Sequence, residues 1–248
     1  YYLKFNAYFH IPKRKEVMKE NLLLLHGALG AKVQLERLKN SLNNHFNVYS
    51  MDFEGHGGDS SDKAYSIDLF VTNLITFLDE NELNEVFVFG YSMGGYVALT
   101  AAARYPNRFK QILTLGSKFK WSPEIAAGEI KLLNPEKIAE KVPHFAQRLT
   151  ELHQPQDWKT VMRKTADMML EMGDGKRTTD EEFAKVQIPV QVGIGDKDNM
   201  VSIEETKHVA NLLGNGELKI IEGVPHPIEM IKPEVLEAYV KDYFLSKD

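Results

Sequence analysis

Residues 86–96 read Val-Phe-Val-Phe-Gly-Tyr-Ser-Met-Gly-Gly-Tyr, from Val86 to Tyr96. A run of apolar and aromatic residues typical of a buried strand ends at Gly90, and an apolar, alanine-rich segment typical of a buried helix follows. Between them, Ser92 lies at the centre of a Gly-x-Ser-x-Gly pattern. In a turn this tight, a Cβ two positions before or after the serine would clash with neighbouring backbone. The stretch therefore predicts a strand–turn–helix unit with Ser92 exposed at its apex.

A base for Ser92 has to come from elsewhere in the chain, because a serine hydroxyl is a poor nucleophile until its proton is removed. The pattern alone also fits an ordinary glycine-rich turn, so the partners decide between the two interpretations. Of the eight histidines, His226 stands between two prolines just past the last predicted strand, where the loops of a parallel sheet gather. His45, His144, His153 and His208 lie in helical or helix-end contexts typical of surface positions. His226 is therefore the candidate base.

An acid that orients the base should also follow a strand. The run Gly195-Asp196-Lys197-Asp198-Asn199 offers two candidates, Asp196 and Asp198, and its residues alone do not separate them. A calcium-loop interpretation fails, because the glycine and the distal glutamate of such a loop are missing. The chain order serine, aspartate, histidine is the one described for Gly-x-Ser-x-Gly enzymes.

Chemistry at a carbonyl group also needs hydrogen-bond donors for the developing oxyanion. The backbone N–H of Met93, at the start of the predicted helix, is one candidate. The loop around Gly27 and Ala28 follows an earlier predicted strand and supplies the Ala28 N–H as the second. His26 could be imagined as another base or as a metal ligand, but a role in holding the loop backbone is favoured.

Strands and helices alternate along most of the chain, with predicted strands in 1–10, 22–25, 46–51, 85–89, 111–115, 188–194 and 218–221. This rhythm predicts an α/β fold with a parallel sheet and helices on both faces. Residues 117–185 break the rhythm with three helical segments and no strand. We therefore expect one domain over 1–248, with a core of about 1–116 and 186–248 and a helical insertion of about 117–185. Four methionines on the last helical segment favour core packing or a soft wall over a pocket.

Composition excludes several classes of function. The 30 Lys and Arg residues against 35 Asp and Glu residues give a net charge of -5, with no basic stripe that would favour a nucleic-acid partner. The absence of cysteine excludes disulfides and a cysteine nucleophile, and it fits the cytoplasmic location that we expect. No stretch approaches the roughly 20 apolar residues of a membrane-spanning helix. Because the chain begins at Tyr1, the sequence leaves open whether a segment precedes it. The sequence also does not indicate an oligomeric state.

Five segments together resemble the α/β-hydrolase fold superfamily, in its branch of small cap-bearing serine hydrolases and esterases. They lie in the family's order and span nearly the whole chain. These segments are Leu25-His26-Gly27-Ala28, Asp52-Phe53-Glu54-Gly55-His56-Gly57, Gly90-Tyr91-Ser92-Met93-Gly94-Gly95, Gly195-Asp196-Lys197-Asp198-Asn199-Met200-Val201 and Gly223-Val224-Pro225-His226. One departure is Glu54, which stands where the family has arginine.

The resemblance implies a mostly parallel eight-stranded sheet with a helical cap insertion. It selects Asp198 over Asp196 as the acid of a triad with Ser92 and His226, and Ala28 and Met93 as the oxyanion donors. It also places the candidate substrate pocket at four residues, which are Leu29, Tyr91, Phe119 and Trp121. For Phe119 and Trp121, ordinary packing of the insertion is an equal alternative.

The activity implied by the resemblance is hydrolysis of a carboxylic ester of a small or medium acyl substrate through an acyl-enzyme, with no cofactor and no metal. The alternatives with the same triad are carbon–carbon bond hydrolysis, a cofactor-free peroxidase or perhydrolase activity, and ligand sensing with little turnover. A small-molecule acyl compound is thus the expected partner.

Overall fold

A single six-stranded sheet forms the centre of residues 19–246, the part of the chain that this computed structural model describes. Its strands are β1 (Asn21–Leu25), β2 (Asn47–Met51), β3 (Val86–Tyr91), β4 (Phe109–Leu115), β5 (Pro189–Lys197) and β6 (Asn215–Pro225). They are ordered β2-β1-β3-β4-β5-β6 across the sheet, and every neighbouring pair is parallel. All six therefore end at the same edge, where the loops that follow them meet.

The expected eight strands are not found, because the described residues form six. The sequence pattern itself predicts seven strands, and six of them are confirmed. The seventh, in residues 1–10, lies outside the described residues. The eighth was implied by the family resemblance alone, and no apolar run in residues 19–246 is left over to form it.

Burial on both faces explains why the leucines of β1 are consecutive. Leu22 and Leu24 point into one apolar cluster, and Leu23 and Leu25 point into the other. All four side chains are fully buried. A run of four apolar residues, rather than an alternating pattern, is therefore what a central parallel strand requires.

Helices cover both faces of the sheet, as expected. In chain order the helices are α1 (Glu36–Leu42), α2 (Ile67–Glu80), α3 (Met93–Arg104), α4 (Pro123–Glu129), α5 (Pro135–Lys141), α6 (Pro143–His153), α7 (Trp158–Gly173), α8 (Asp180–Phe183), α9 (Ile203–Leu212) and α10 (Pro233–Leu245). Apolar side chains of α2, α3 and α9 enter one cluster, whereas those of α1 and α10 enter the other. Ser66 and Ser202 cap α2 and α9 through their side chains, since each accepts a backbone N–H of the first turn.

Five helices, α4 to α8, lie between β4 and β5 with no strand among them. They lie in residues 117–185, where the sequence predicted an insertion of three helical segments. Buried side chains of this segment reach the main core, including Ala126, Val161 and Phe183. The segment therefore packs directly on the sheet domain. No helix in the described residues combines the length and the apolar character needed to cross a bilayer.

The passage from β3 to α3 is tightly packed against neighbouring backbone. A Cβ added at Gly90 would lie 2.5 Å from the Gly95 Cα, and one added at Gly94 would lie 2.6 Å from the Leu25 carbonyl oxygen. Backbone atoms cannot move aside as a flexible side chain can. Gly90 therefore lets the end of β3 lie against the first turn of α3, and Gly94 lets that turn cross close to the end of β1.

A Gly90→Ala substitution should destabilise the fold by about 2–3 kcal/mol or prevent folding, because its Cβ overlaps backbone. Thermal or urea unfolding measures the loss. Gly128→Ala is the matched control, since nothing lies within 4 Å of an added Cβ on this exposed residue of α4. That variant should be neutral or stabilised by up to about 1 kcal/mol, because alanine favours helix over glycine. Equal stability of the two variants would refute the close-packing explanation.

Candidate active site

Ser92 occupies the turn between β3 and α3 in a backbone conformation that is rare for a serine. Its φ of 50° and ψ of -118° lie in a region that normally needs glycine. Two contacts hold it there, because the Ser92 N–H donates to the Leu115 carbonyl at 2.8 Å and the Ser117 hydroxyl donates to the Ser92 carbonyl at 2.8 Å. The Ser92 side chain makes no capping bond to α3. Its hydroxyl is therefore not engaged by the helix and can interact with groups at the carboxyl edge of the sheet.

His226 brings its imidazole to this hydroxyl from the end of β6. The Ser92 Oγ and His226 Nε2 atoms are 3.3 Å apart. The Tyr91 hydroxyl donates to the His226 carbonyl at 2.7 Å, which ties the loop after β6 to the last residue of β3. The His226 side chain is mostly buried, so few other positions of the ring are open to it.

Asp198, and not Asp196, contacts His226. The Asp198 Oδ2 and His226 Nδ1 atoms are 2.7 Å apart. The other oxygen of Asp198 accepts the backbone N–H groups of Met200 and Val201 at 2.8 and 2.9 Å. Asp196 instead accepts the backbone N–H of Gly223 at 2.6 Å. The structure thus separates the two aspartates that the local sequence left open.

The pKa of Asp198 is lowered by this environment. Burial alone would raise it, but the hydrogen bond and charge of His226 and the two backbone N–H groups outweigh burial. An ionised carboxylate accepts hydrogen bonds only, so His226 carries a proton on Nδ1 in the neutral ring. The Nε2 lone pair then points at Ser92. This arrangement can take a proton from the serine hydroxyl.

The two predicted oxyanion donors lie at the same cavity as Ser92, since Ala28 and Met93 both line it. Within residues 19–246, neither backbone N–H donates to another protein group. Met93 is also the first residue of α3, where the helix dipole favours negative charge. The two N–H groups are therefore free to bind an oxyanion formed at Ser92.

His26 holds the loop that carries Ala28. Its Nε2 accepts the Phe53 N–H at 3.2 Å, so in the neutral ring the proton is on Nδ1, which donates to the Gly27 carbonyl at 2.8 Å. Both ring nitrogens are thus engaged with backbone groups. This contact agrees with the loop-holding role favoured from the sequence over a base or a metal ligand.

A cavity of about 290 Å³ adjoins Ser92 and His226. Three of the four predicted pocket residues line it, namely Leu29, Tyr91 and Trp121. The rest of the wall is mostly apolar. It includes Met168, Met169 and Met172, for which a pocket wall was one of two expected uses, and residues that the sequence did not indicate: Ile67, Leu133, Phe145, Met200, Val201 and Ile228. Three of the four methionines of α7 therefore serve as both core packing and pocket wall.

Phe119, the fourth predicted pocket residue, lies elsewhere. Its ring packs between Tyr96 and Phe183, with ring centroids 5.9 and 5.7 Å away. The Phe119 backbone N–H donates to the Glu205 carboxylate at 3.0 Å, which anchors this part of the chain beside α9. The side chain is thereby directed into the core under α8, and the expectation that it lines the pocket is corrected.

The polar groups of the cavity wall are already paired. Lys118 Nζ lies 3.1 Å from the Glu129 carboxylate and donates to the Met200 carbonyl at 3.1 Å. Glu229, three residues after the base, accepts Arg148 at 3.2 Å and also the amide of Gln34. The carboxylates of the wall are thus neutralised by protein partners, and the open surface is largely apolar.

Comparison with known proteins places the chain in a family. The family described as serine aminopeptidase, S33, with the family label Hydrolase_4, matches residues 16–230. The chain belongs to this family of α/β hydrolases.

Several relatives of this α/β hydrolase are known. Monoacylglycerol lipase ABHD6 of Bos taurus is 26% identical over 261 residues, which cover 92% of the chain and 76% of that protein. Ethanol acetyltransferase 1 of Hanseniaspora uvarum is 28% identical over 126 residues, 47% of the chain, and the chain spans only 37% of that protein. The solved structure of a thermophilic esterase from Thermogutta terrifontis has the same fold, with a TM-score of 0.73, 19% identity, and coverage of 92% of this chain and 90% of that one.

Three buried histidines of this α/β hydrolase lie near the loop that carries Ala28: His26, His56 and His153. The rings of His26 and His56 are 5.3 Å apart, and those of His56 and His153 are 5.8 Å apart. Burial lowers the pKa of each, and that of His26 to about 4. No group of three or more such side chains within residues 19–246 is arranged to hold a metal ion.

The expectation of a surface position for His153 is wrong. Its side chain is fully buried, and it accepts the Gly57 N–H at 3.3 Å while its Nε2 lies 3.1 Å from the Leu29 carbonyl. A signal was present in the sequence, because Ala146, Leu149 and His153 follow helical spacing and form the buried stripe of α6. Because polar residues lie between them, the sequence pattern did not reveal this stripe.

Glu54, which stands where the family pattern has arginine, accepts hydrogen bonds from residues of its own loop. Its carboxylate accepts the Ser61 hydroxyl at 2.6 Å and the Lys63 ammonium group at 3.1 Å. The Ser61 hydrogen bond is the main cause of the lowered pKa of Glu54. A carboxylate here is thus stabilised by contacts within residues 54–63.

The buried histidines should make stability fall as the pH decreases. Their pKa values are lowered on folding, so the unfolded chain takes up protons near pH 6.5 while the folded chain resists them; for His26 this holds down to about pH 4. For His26 the loss should reach about 1.4 kcal/mol per pH unit within that window, and the lowered pKa values of His56 and His153 should add to the loss in the same direction. Urea unfolding at pH 7 and pH 5 measures it. His153→Gln should reduce the difference between the two pH values, whereas His144→Gln, at an exposed position of the same helix, should not. An unchanged difference in His153→Gln would contradict the prediction.

Proposed function

We propose that this chain is a serine hydrolase that cleaves carboxylic esters of small or medium acyl groups through an acyl-enzyme intermediate. The observation that carries the proposal is the unbroken line of contacts from Ser92 through His226 to Asp198. A hydroxyl, an imidazole and a carboxylate in this order are the groups that nucleophilic acyl transfer requires.

In the proposed reaction, the Ser92 oxygen attacks the ester carbonyl while His226 Nε2 takes the serine proton. The carbonyl oxygen becomes an oxyanion and accepts the backbone N–H groups of Ala28 and Met93. The ionised Asp198 stabilises the imidazolium and keeps the ring oriented. When the tetrahedral intermediate collapses, the bond to the alcohol oxygen breaks, and His226 returns the proton to that oxygen.

Water then attacks the acyl-enzyme through the same steps. His226 takes a proton from the water, the hydroxide oxygen bonds to the acyl carbon, and the same two N–H groups hold the oxyanion. Collapse breaks the bond to Ser92, whose oxygen recovers its proton from His226. The products are a carboxylic acid and the free enzyme, with no change in oxidation state.

The cavity supports the preference for an apolar acyl group of limited length. Its volume of about 290 Å³ is at the small end of the range for ligand sites. Leu133, Phe145 and three methionines of α7 make the wall largely apolar. We assign residues 117–185 the role of a cap, which excludes water from the site while it remains in place over Ser92.

An aminopeptidase activity, which the family description suggests, is less well supported. The free ammonium group of a peptide substrate needs an unpaired acidic group in the site. Glu129 and Glu229 are the carboxylates of the cavity wall, and each is already held by Lys118 or by Arg148. Binding of an ester with an apolar acyl chain does not require such an acidic group.

Transfer of the acyl group to an alcohol is a second candidate. The 28% identity to an ethanol acetyltransferase favours it, because an alcohol can replace water in the second half of the reaction. The acyl-enzyme is common to both activities, so the acceptor alone separates them. The ratio of ethyl ester to free acid formed in the presence of ethanol would measure this preference.

A fluorophosphonate probe should label Ser92, and p-nitrophenyl esters of graded chain length should be hydrolysed. Ser92→Ala should lose both the label and at least about 10³-fold of kcat, because no other hydroxyl in the described residues is hydrogen-bonded to the His226 ring. Peptide mapping locates the label. Ser60→Ala, at an exposed position, is the control and should behave as wild type. A label on another residue, or full activity in Ser92→Ala, would overturn the proposal.

The two neighbouring aspartates should differ sharply in importance. Asp198→Asn should lower kcat by about 10²–10⁴-fold, because an amide can favour the wrong tautomer of His226. Asp196→Asn should stay within a few-fold of wild type, since the polar contacts of Asp196 within residues 19–246 are to the backbone of Gly223 and to its neighbour Lys197. Steady-state kinetics on one ester compares them, and equal losses would count against Asp198 as the acid.

A further inference from the structure

The orientation of the Ala28 N–H depends on how its own peptide group is held. A peptide group is planar and trans, so its carbonyl and N–H point in opposite directions. The carbonyl of the group that carries the Ala28 N–H belongs to Gly27. That oxygen accepts the His26 Nδ1–H at 2.8 Å and the Gly30 N–H at 3.0 Å. These bonds turn the Ala28 N–H away from them and towards the cavity.

A second constraint on the loop comes from the helical segment. Leu29 follows Ala28 and has a φ of 56°, a left-handed conformation that leucine rarely adopts. Its carbonyl faces Nε2 of His153, at 3.1 Å. His153 is the last residue of α6 and lies 124 positions further along the chain. The bond therefore fixes the strained residue next to Ala28 from outside the loop.

The neutral form of histidine suits this position. His153 Nδ1 accepts the Gly57 N–H, so the single ring proton is on Nε2 and is donated to Leu29. Burial lowers the pKa of His153, which keeps this form populated near neutral pH. One ring thus joins two loops of the sheet domain to the end of α6.

The same helix closes the cavity. Phe145 of α6 lines it, and Arg148 of α6 pairs with Glu229 in the loop that carries His226. Displacement of α6 would open the wall and release Leu29 at the same time. Enclosure of a substrate and alignment of the oxyanion loop are therefore mechanically linked.

We propose that His153 is a positioning residue of the oxyanion hole: by holding the Leu29 carbonyl from the docked α6, it aligns the Ala28 N–H and couples closure of the cavity to stabilisation of the oxyanion. This proposal rests on the ester hydrolase activity proposed above. His153 does not touch the substrate, and it acts through the loop backbone.

Two substitutions separate positioning from mere stability. The amide of His153→Gln can donate to Leu29, whereas that of His153→Asn is too short to reach it but can still accept the Gly57 N–H. We expect kcat to fall about ten-fold or more in His153→Asn, with KM within two-fold, which is part of the ~10²–10³-fold cost of losing an oxyanion donor. His153→Gln should stay within about three-fold of wild type.

An alkyl boronic acid tests the oxyanion hole directly, because its adduct with Ser92 places an oxygen at the oxyanion position. Its inhibition constant should rise in His153→Asn by about the same factor as kcat falls. His144→Gln is the matched control on the exposed side of α6 and should leave kcat, KM and boronate affinity unchanged. All assays are run well below the melting temperature of each variant.

The outcomes are distinguishable from failure of the proposed function. If the wild-type chain neither hydrolyses esters nor reacts with a fluorophosphonate at Ser92, the ester hydrolase proposal fails first. If the wild type is active and folded His153→Asn keeps its kcat and boronate affinity, the positioning role is overturned. Should His153→Asn not fold, His153→Gln decides by itself: near wild-type kcat supports the role, and a loss of ten-fold or more in the folded variant overturns it.

Discussion

Close contact between the start of α3 and the end of β1 is the constraint on which the site depends. Gly94 lets these two backbones approach to a distance that no Cβ allows, and Gly90 does the same between the end of β3 and Gly95 of α3. Ser92 is thereby held at a φ of 50° over the carboxyl edge of the sheet. Because all the strands are parallel, the loops that follow β1, β5 and β6 reach the same edge. Four separate segments can therefore meet at one hydroxyl.

Neutral histidine is the linking group around this edge. His26 and His153 each accept a backbone N–H on one nitrogen and donate to a carbonyl of the oxyanion loop from the other. Only an uncharged imidazole offers one acceptor and one donor at opposite sides of a rigid ring. Burial keeps them uncharged by lowering their pKa values. The rigidity of the loop and the acid sensitivity expected of the fold therefore have the same origin.

What could be predicted from the sequence is what short stretches encode. The buried strands and the strand–turn–helix unit around Ser92 follow from residues close together in the chain. The choice between Asp196 and Asp198 needed the family resemblance, since both follow the same strand. His153 and Phe119 were misplaced because contacts with residues distant in the chain orient them. Leu29 lies 124 positions from His153, and Glu205 lies 86 from Phe119. Local sequence patterns also could not predict that the carboxylates of the cavity wall are paired with basic side chains.

The helical segment contacts both sides of the proposed machinery, which explains why its docking matters for more than enclosure. On one side His153 holds the oxyanion loop. On the other, Glu129 at the end of α4 pairs with Lys118, which donates to the carbonyl of Met200. The N–H of that same Met200 binds Asp198. The contact of His153 with the loop and the pair of Glu129 with Lys118 lie in partly or fully buried surroundings, where polar contacts are stronger than in water. On the proposed mechanism, movement of this segment would therefore disturb the orientation of Asp198 and of the Ala28 N–H together.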